Sequence, residues 1–142
     1  MQSNQSMPPC TVIPELAYPD VEAAASWLCD TFGFTLHLKI GGHRAQLSIG
    51  DGAVVLTRLA ASDAENPLGG IGSAHAVMVR IADVIGHHEH ARRRGTLILQ
   101  PPTDFPYGER QYSAQDPGGH RWTFSESIAD VAPEAWGGTR VA

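Results

Sequence analysis

The sequence repeats one pattern of structural signals along its length. In each copy a short apolar strand ends at an Asp, a helix closes at a Gly, and a Gly-containing turn opens a last strand. Asp20 and Asp83 mark the two helix starts, 63 positions apart, and Gly33 and Gly95 mark the two helix ends, 62 positions apart. Because the offset is nearly constant, the chain is predicted to contain two copies of one unit that share a cleft.

The periodicity inside each copy predicts its elements. After the Asp, apolar residues recur at helical spacing until the Gly, and the stretches on either side alternate apolar with polar residues between glycine turns. Each copy is therefore a β-α-β-β-β unit, and the fold class is α+β: tandem βαβββ modules forming a curved, partly open mixed sheet around a cleft. The predicted boundaries are residues 11–59 and 75–127 for the modules, 60–74 for a linker and 128–142 for a C-terminal tail. The first strand is predicted at Thr11 to Tyr18, and Pro101 to Gly108 is predicted as a loop.

The bulk properties exclude several classes of protein. The net charge of −5 and the lack of a basic face argue against a nucleic-acid partner. No stretch of 18 apolar residues is present, which predicts no membrane span. The polar start of the chain is unlike a signal peptide, so Cys10 and Cys29 are predicted to be reduced thiols of a cytoplasmic protein.

The end of the second copy carries the most specific motif. Tyr107-Gly108-Glu109-Arg110 leads into the Asp116-Pro117-Gly118-Gly119 turn, and Trp122-Thr123-Phe124 follows as the last strand. With the strand-Asp starts of both copies, this ending resembles the vicinal oxygen chelate superfamily, which includes glyoxalase I, extradiol dioxygenases and the bleomycin-resistance proteins. The resemblance covers about Val12 to Glu126 and is closest to the glyoxalase-like, bleomycin-resistance-like branch. It implies the fold but no particular reaction, because one fold hosts many chemistries.

The resemblance also implies where a metal would bind. Metal-using members place His, Gln or Glu on the first and last strands of each module, and alignment puts those points at Ile13, Thr57, Ala76 and Thr123. None of these is a His, Glu or Asp, so no metal cofactor is predicted. The alternative is a divalent metal held by Glu15 and His75, which lie one or two positions from the aligned points and would reach them through a strand bulge.

Strand parity and the C-terminal motif together predict a ligand site. Polar residues on the third strand of the first module oppose apolar ones and should face the cleft. On the last strand, Trp122 and Phe124 are predicted to pack in the core beneath the helix, so Arg121, Thr123 and Ser125 should face the cleft. The predicted ligand-binding residues are Arg44, Gln46, Ser48, Phe105, Tyr107, Arg110, Tyr112, Arg121 and Thr123. The arginines suit a carboxylate or phosphate but equally suit surface ion pairs, and the aromatic residues suit recognition or packing.

Two functional hypotheses follow. The preferred one is a metal-free small-molecule-binding protein that sequesters a bulky, partly aromatic ligand, as the resemblance to bleomycin-resistance proteins implies. The alternative is a glyoxalase-like, metal-dependent lyase or isomerase with an atypical site at Glu15 and His75. The resemblance further implies a homodimer. The tail composition predicts disorder, or an arm in which Trp136 covers a partner.

Overall fold

The computed structural model describes residues 2–60 and 74–141, so all of the predicted linker except its two end residues lies outside the described residues. The first module consists of β1 (Glu15–Tyr18), α1 (Val21–Phe32), β2 (Thr35–Ile40), β3 (Arg44–Ile49) and β4 (Gly52–Arg58). The second module consists of β5 (Val77–Arg80), α2 (Val84–Arg93), β6 (Leu97–Asp104), β7 (Glu109–Gln115) and β8 (Arg121–Ser127). A short 3-10 helix, Pro133–Trp136, follows in the tail.

The first module forms a four-stranded mixed sheet in the order β1-β4-β3-β2. β1 runs parallel to β4, and the remaining neighbours are antiparallel. Asp20 caps α1 by accepting a hydrogen bond from the backbone N–H of Ala23, and Gly33 ends the helix at φ 87°. α1 covers one face of this sheet, where Leu28 and Leu47 are fully buried, and it leaves the other face without a helix.

The second module repeats this arrangement. Its strands are ordered β5-β8-β7-β6, with β5 parallel to β8 and antiparallel pairing elsewhere. Asp83 caps α2 by accepting a hydrogen bond from the backbone N–H of Gly86. The predicted α+β class and the two βαβββ repeats are thereby confirmed, with each repeat forming its own four-stranded mixed sheet.

The strand boundaries differ from the sequence prediction in two places. β6 runs on through Pro101 and Pro102 to Asp104, where a loop was predicted, and its pairing with β7 shifts register twice along the way. Prolines are tolerated there because β6 is an edge strand, and an edge strand leaves some of its N–H groups unpaired. The first strand is shorter than predicted, since Thr11–Pro14 precede the regular pairing of β1.

The chain forms two compact units. One contains the first module together with the turn Pro117–His120, and the other contains the rest of the second module and the tail. In the first unit, Nε2 of His120 lies 2.8 Å from the carbonyl oxygen of Ala17, and the ring centroids of His120 and Tyr18 are 4.7 Å apart. Within this unit, His120 therefore packs against the end of β1.

The C-terminal tail folds back onto its own unit. The backbone N–H groups of Ile128 and Ala129 both donate to the carbonyl oxygen of Gly108, at 2.8 and 3.2 Å. The 3-10 helix then carries Trp136 to Tyr107, with ring centroids 5.1 Å apart. The tail is thus packed on its own unit, whereas composition predicted disorder; the alternative, that Trp136 covers a partner, stays a prediction.

No helix among the described residues has the length and apolar character needed to cross a membrane.

Candidate functional site

The two faces of the second sheet have different chemistry. One face packs against α2 and is apolar: Tyr112, Ala114, Trp122 and Phe124 are all 0% exposed. Strand register explains this, because Tyr112 pairs with Phe124 and Ala114 pairs with Trp122, so all four side chains point the same way. Trp122 was predicted to lie in the core, and its indole N–H donates to a carboxylate oxygen of buried Asp116 at 3.0 Å.

Tyr112 occupies the helix side of this sheet, whereas the sequence analysis placed it in the ligand lining. Its hydroxyl lies 2.5 Å from Nδ1 of His87 on α2, and its ring stacks on Phe124. Burial raises the pKa of the Tyr112 phenol, because the low-dielectric surroundings disfavour phenolate. The error arose from grouping Tyr112 with the adjacent motif instead of applying the alternation that correctly placed Trp122 and Phe124.

Arg110 lies on the same side as Tyr112, two positions before it. Its guanidinium binds Asp104 through two hydrogen bonds, of 2.7 Å from Nε and 3.2 Å from the second nitrogen. Hydrogen bonding from Arg110 lowers the pKa of Asp104 and, in return, raises that of the guanidinium. Of the two roles that the sequence left open for this arginine, the structure shows the surface ion pair.

The helix-free face of the second sheet carries a connected set of polar side chains. The hydroxyls of Ser113 and Thr123 lie 3.0 Å apart, Gln111 donates to Ser125 at 3.0 Å, and Ser125 donates to Glu109 at 2.7 Å. We call this set the polar face: Glu109, Gln111, Ser113, Thr123 and Ser125. Of these five, only Thr123 was predicted as a ligand residue. Ser125 was predicted to face the same side, and period-two alternation along β7 would have found Glu109, Gln111 and Ser113.

The carboxylate of the polar face is held in its charged form. Hydrogen bonds from Ser125 and Ser127, together with the charge of Arg80, lower the pKa of Glu109. A carboxylate that accepts hydroxyl hydrogen bonds is stabilised relative to its protonated form. Arg121, a predicted ligand residue, lies half-buried at the far end of the same face. The face therefore offers an anion at one end and a cation at the other.

An aromatic row adjoins the anionic end of the polar face. The backbone N–H of Phe105 donates to the carbonyl oxygen of Glu109 at 2.8 Å, which places the β6–β7 turn directly beside that residue. Phe105 stacks on Tyr107 at 5.3 Å with an interplanar angle of 11°, and Tyr107 meets Trp136. We call Phe105, Tyr107 and Trp136 the aromatic row. The first two were predicted as ligand residues, and Trp136 of the tail is an addition.

The three residues predicted on β3 have separate surroundings. Gln46 lies on the helix-free face of the first sheet and is only 6% exposed, because its amide contacts the N-terminal segment. Ser48 is half-buried on the same strand and pairs with Ala53. Arg44, also half-buried, borders a cavity beside α1. Period-two alternation along β3 thus placed Gln46 on the face away from α1 but gave no indication of which segment covers it.

The cavity beside α1 has a volume of about 200 Å³. Its polar rim includes Glu22 and Lys39, whose charged atoms are 3.9 Å apart, and small or apolar residues such as Ala25 and Leu36 form the rest. Sites for drug-sized ligands usually enclose about 300–1,000 Å³. This cavity is therefore too small for a bulky ligand.

The residues at the points that family resemblance assigns to a metal do not fit one. Thr57 and Thr123 present hydroxyls, and that of Thr123 is shared with Ser113. Glu15 is exposed on β1 and His75 is exposed before β5, in different compact units. Across residues 2–60 and 74–141, no three His, Cys, Asp or Glu side chains form a group suited to a metal ion. Cys10 and Cys29 are both free thiols.

Comparison with known proteins places these features in a family. The family model described as Glyoxalase/Bleomycin resistance protein/Dioxygenase superfamily matches residues 10–124. Among solved structures, TioX from Micromonospora sp. ML1 is 33% identical over 84% of this chain and 99% of that chain, with a TM-score of 0.67. No curated protein matches the sequence significantly.

Two further structures show the same fold at lower identity. A glyoxalase/bleomycin resistance protein from Streptomyces sp. CB03234 is 24% identical over 79% of this chain and 96% of that chain, with a TM-score of 0.63. Lactoylglutathione lyase from Agrobacterium tumefaciens is 19% identical over 85% of this chain and 96% of that chain, with a TM-score of 0.61. At these identities the likeness concerns the fold alone.

Proposed function

We propose that this chain, which belongs to the glyoxalase/bleomycin resistance protein/dioxygenase superfamily, binds a bulky, partly aromatic small molecule without a metal. The observation that carries the proposal is the junction of the polar face with the aromatic row in the second module. Ligand sites commonly combine aromatic walls with a few placed polar groups. Here the stacked rings supply the wall, and the hydroxyls, amide and carboxylate beside them supply the polar groups.

The geometry favours a particular kind of ligand. Trp136 is 45% exposed at the end of the aromatic row, so a planar ring can stack on it without displacing protein. Glu109 is ionised beside this row and would pair with a cation or a hydrogen-bond donor on the ligand. We therefore propose a planar aromatic ligand that carries a donor or positive group at one edge.

The side chains of this site support binding more than catalysis. Glu109 is held ionised by two serine hydroxyls, whereas a general acid or base works best with a pKa near the working pH. Ser113 and Thr123 hydrogen bond to each other, and neither is paired with a histidine that would activate it as a nucleophile. Sequestration of a ligand requires only the hydrogen bonds that these groups can make.

Proteins of this superfamily commonly bind small molecules and form dimers. We propose a homodimer for this chain, in a cytoplasmic setting consistent with its two free thiols. Light scattering coupled to gel filtration would distinguish a species of twice the 15.2 kDa chain mass from a monomer. A monomer at all accessible concentrations would contradict this part of the proposal.

The binding proposal is tested by a thermal-shift screen of planar aromatic compounds, including acridine-type cations and naphthalene sulfonates. A ligand at 100 times its Kd stabilises the folded state by about 2.7 kcal/mol. The shift should shrink in Trp136→Ala and persist in Trp27→Ala, a tryptophan on α1 in the other compact unit. A hit that is equally affected by both substitutions, or by neither, would contradict the site.

A further inference from the structure

The N-terminal segment, residues 2–9, packs on the helix-free face of the first sheet. The side-chain amide of Gln46 donates from Nε2 to the carbonyl oxygen of Ser6 at 3.0 Å, and the Met7 sulfur lies 4.0 Å from the same nitrogen. Asn4 shapes this segment into a turn, because its side-chain oxygen accepts from the backbone N–H of Ser6 at 3.0 Å and its carbonyl accepts from that of Met7 at 3.3 Å. The turn presents the Ser6 carbonyl to the sheet.

The face beneath this turn is buried although no helix covers it. Gln46 and its cross-strand neighbour Val55 are 6% and 2% exposed. In the second sheet the matching pair is Ser113 and Thr123, because each of these pairs lies between two helix-facing pairs of its sheet. The second-sheet pair is only half-buried. The N-terminal segment contacts the more deeply buried of these two pairs, through Gln46.

A buried amide donor beside an apolar side chain is a binding site for a particular chemistry. Gln46 supplies an N–H that needs an acceptor once it is removed from water, and Val55 supplies an apolar floor. Ser6 provides a peptide carbonyl and Met7 a flexible thioether, which together satisfy both requirements. The segment therefore stands where a ligand with a carbonyl acceptor and a neighbouring apolar group would bind.

We propose that the first module carries a binding site for a peptide-like carbonyl group at Gln46 and Val55, and that the chain's own N-terminal segment occupies this site in cis. The proposal extends the proposed ligand-binding function to the first module, while the cis contact itself does not depend on that function. A ligand with a carbonyl acceptor and a neighbouring apolar group can bind at this site only if it displaces the N-terminal segment.

The contact is of the strength expected for a displaceable occupant. One hydrogen bond from a neutral amide contributes a modest net free energy, equivalent to about a threefold to tenfold change in affinity. A short tether holds the segment at an effective concentration of about millimolar. The tether is anchored where the backbone N–H of Val55 donates to the carbonyl oxygen of Pro14 at 2.9 Å, and Pro8, Pro9 and Pro14 stiffen it.

The test uses a variant lacking residues 2–9 and a synthetic peptide of the same sequence, Gln-Ser-Asn-Gln-Ser-Met-Pro-Pro. NMR spectra of the truncated protein should show the Gln46 side-chain amide and the Val55 methyl groups shifted from their full-length positions. Adding the peptide in trans at millimolar concentration should return both signals toward those positions. Unchanged signals on truncation, or no response to the peptide, would overturn the proposal.

A substitution identifies the anchor. Gln46→Ala in the truncated protein should weaken peptide binding by about threefold to tenfold, whereas Gln115→Ala, the same change on the helix-free face of the second sheet, should leave it unchanged. If the truncated protein does not fold, the test is made on the full-length protein instead. There, Gln46→Ala should lower the backbone amide heteronuclear NOE of residues 4–7, and values equal to those of the unsubstituted protein would overturn the proposal. If no aromatic compound stabilises the protein in the thermal-shift screen, the results of these NMR and peptide-binding experiments are unaffected.

Discussion

Replacing Tyr112 separates a structural role from a ligand-binding one. Tyr112 is 0% exposed beneath α2, and its hydroxyl meets Nδ1 of His87. Tyr112→Phe keeps the ring and removes this hydrogen bond, so the loss in unfolding free energy should be about 1–2 kcal/mol. Tyr112→Ala also empties a buried ring site and should cost about 3–5 kcal/mol.

The pH dependence gives the same substitution a second readout. Burial raises the pKa of Tyr112 in the folded state above the value of about 10 in the unfolded chain. Between these two values the unfolded state releases its proton first, so the folded state binds more protons and stability falls as pH rises. The contribution is therefore complete below about pH 10 and declines above it. Tyr112→Phe should remove that decline.

Urea denaturation from pH 7 to pH 11 measures both effects. The matched control is Tyr107→Phe, because Tyr107 is half-exposed in the aromatic row and a surface change of this size should alter stability by less than about 0.5 kcal/mol. An aromatic ligand found in the screen should bind Tyr112→Phe as tightly as the original protein. Unchanged stability with weakened ligand binding would refute the assignment of Tyr112 to the core.

Three other substitutions test separate parts of the structure. Gly108→Ala should destabilise the protein more than Gly50→Ala and should expose Trp136 to fluorescence quenchers. Both glycines have a positive φ, but a Cβ at Gly108 would overlap a carbonyl oxygen of the tail, whereas a Cβ at Gly50 would meet open space. Equal effects would contradict the tail packing. Asp83→Ala removes the cap of α2 and should cost about 1 kcal/mol by urea denaturation; no loss would argue against the cap. Arg110→Gln should raise the pKa of its partner carboxyl in an NMR titration with little change in melting temperature, and an unmoved pKa would contradict the ion pair.

The fold was predictable because its signals are local. Asp20 and Asp83 are N-caps in the structure as the sequence indicated, and Gly33 ends α1 with the positive φ that only glycine adopts easily. Alternation also placed Trp122 and Phe124 against α2. Pro101 and Pro102 misled the prediction of β6, because a proline signals a break only where the strand is not at an edge.

The candidate site was less predictable because it depends on register and on segments far apart in sequence. Tyr112 and Gln111 are neighbours on β7 yet lie on opposite faces, and their pairing with Phe124 and Ser125 of β8 joins each to its own face. Trp136 reaches Tyr107 because the tail doubles back through Gly108. The cover over Gln46 comes from Ser6, 40 positions earlier. No local pattern encodes such contacts.

The most direct test of the central claim is an NMR map of the first aromatic compound that stabilises the protein. The account predicts that the largest shifts fall on the polar face and on the aromatic row, including the indole N–H of Trp136, and that Trp136→Ala weakens binding while Trp27→Ala does not. Shifts confined to the cavity beside α1, or no stabilising compound in a library of both charge signs, would contradict it.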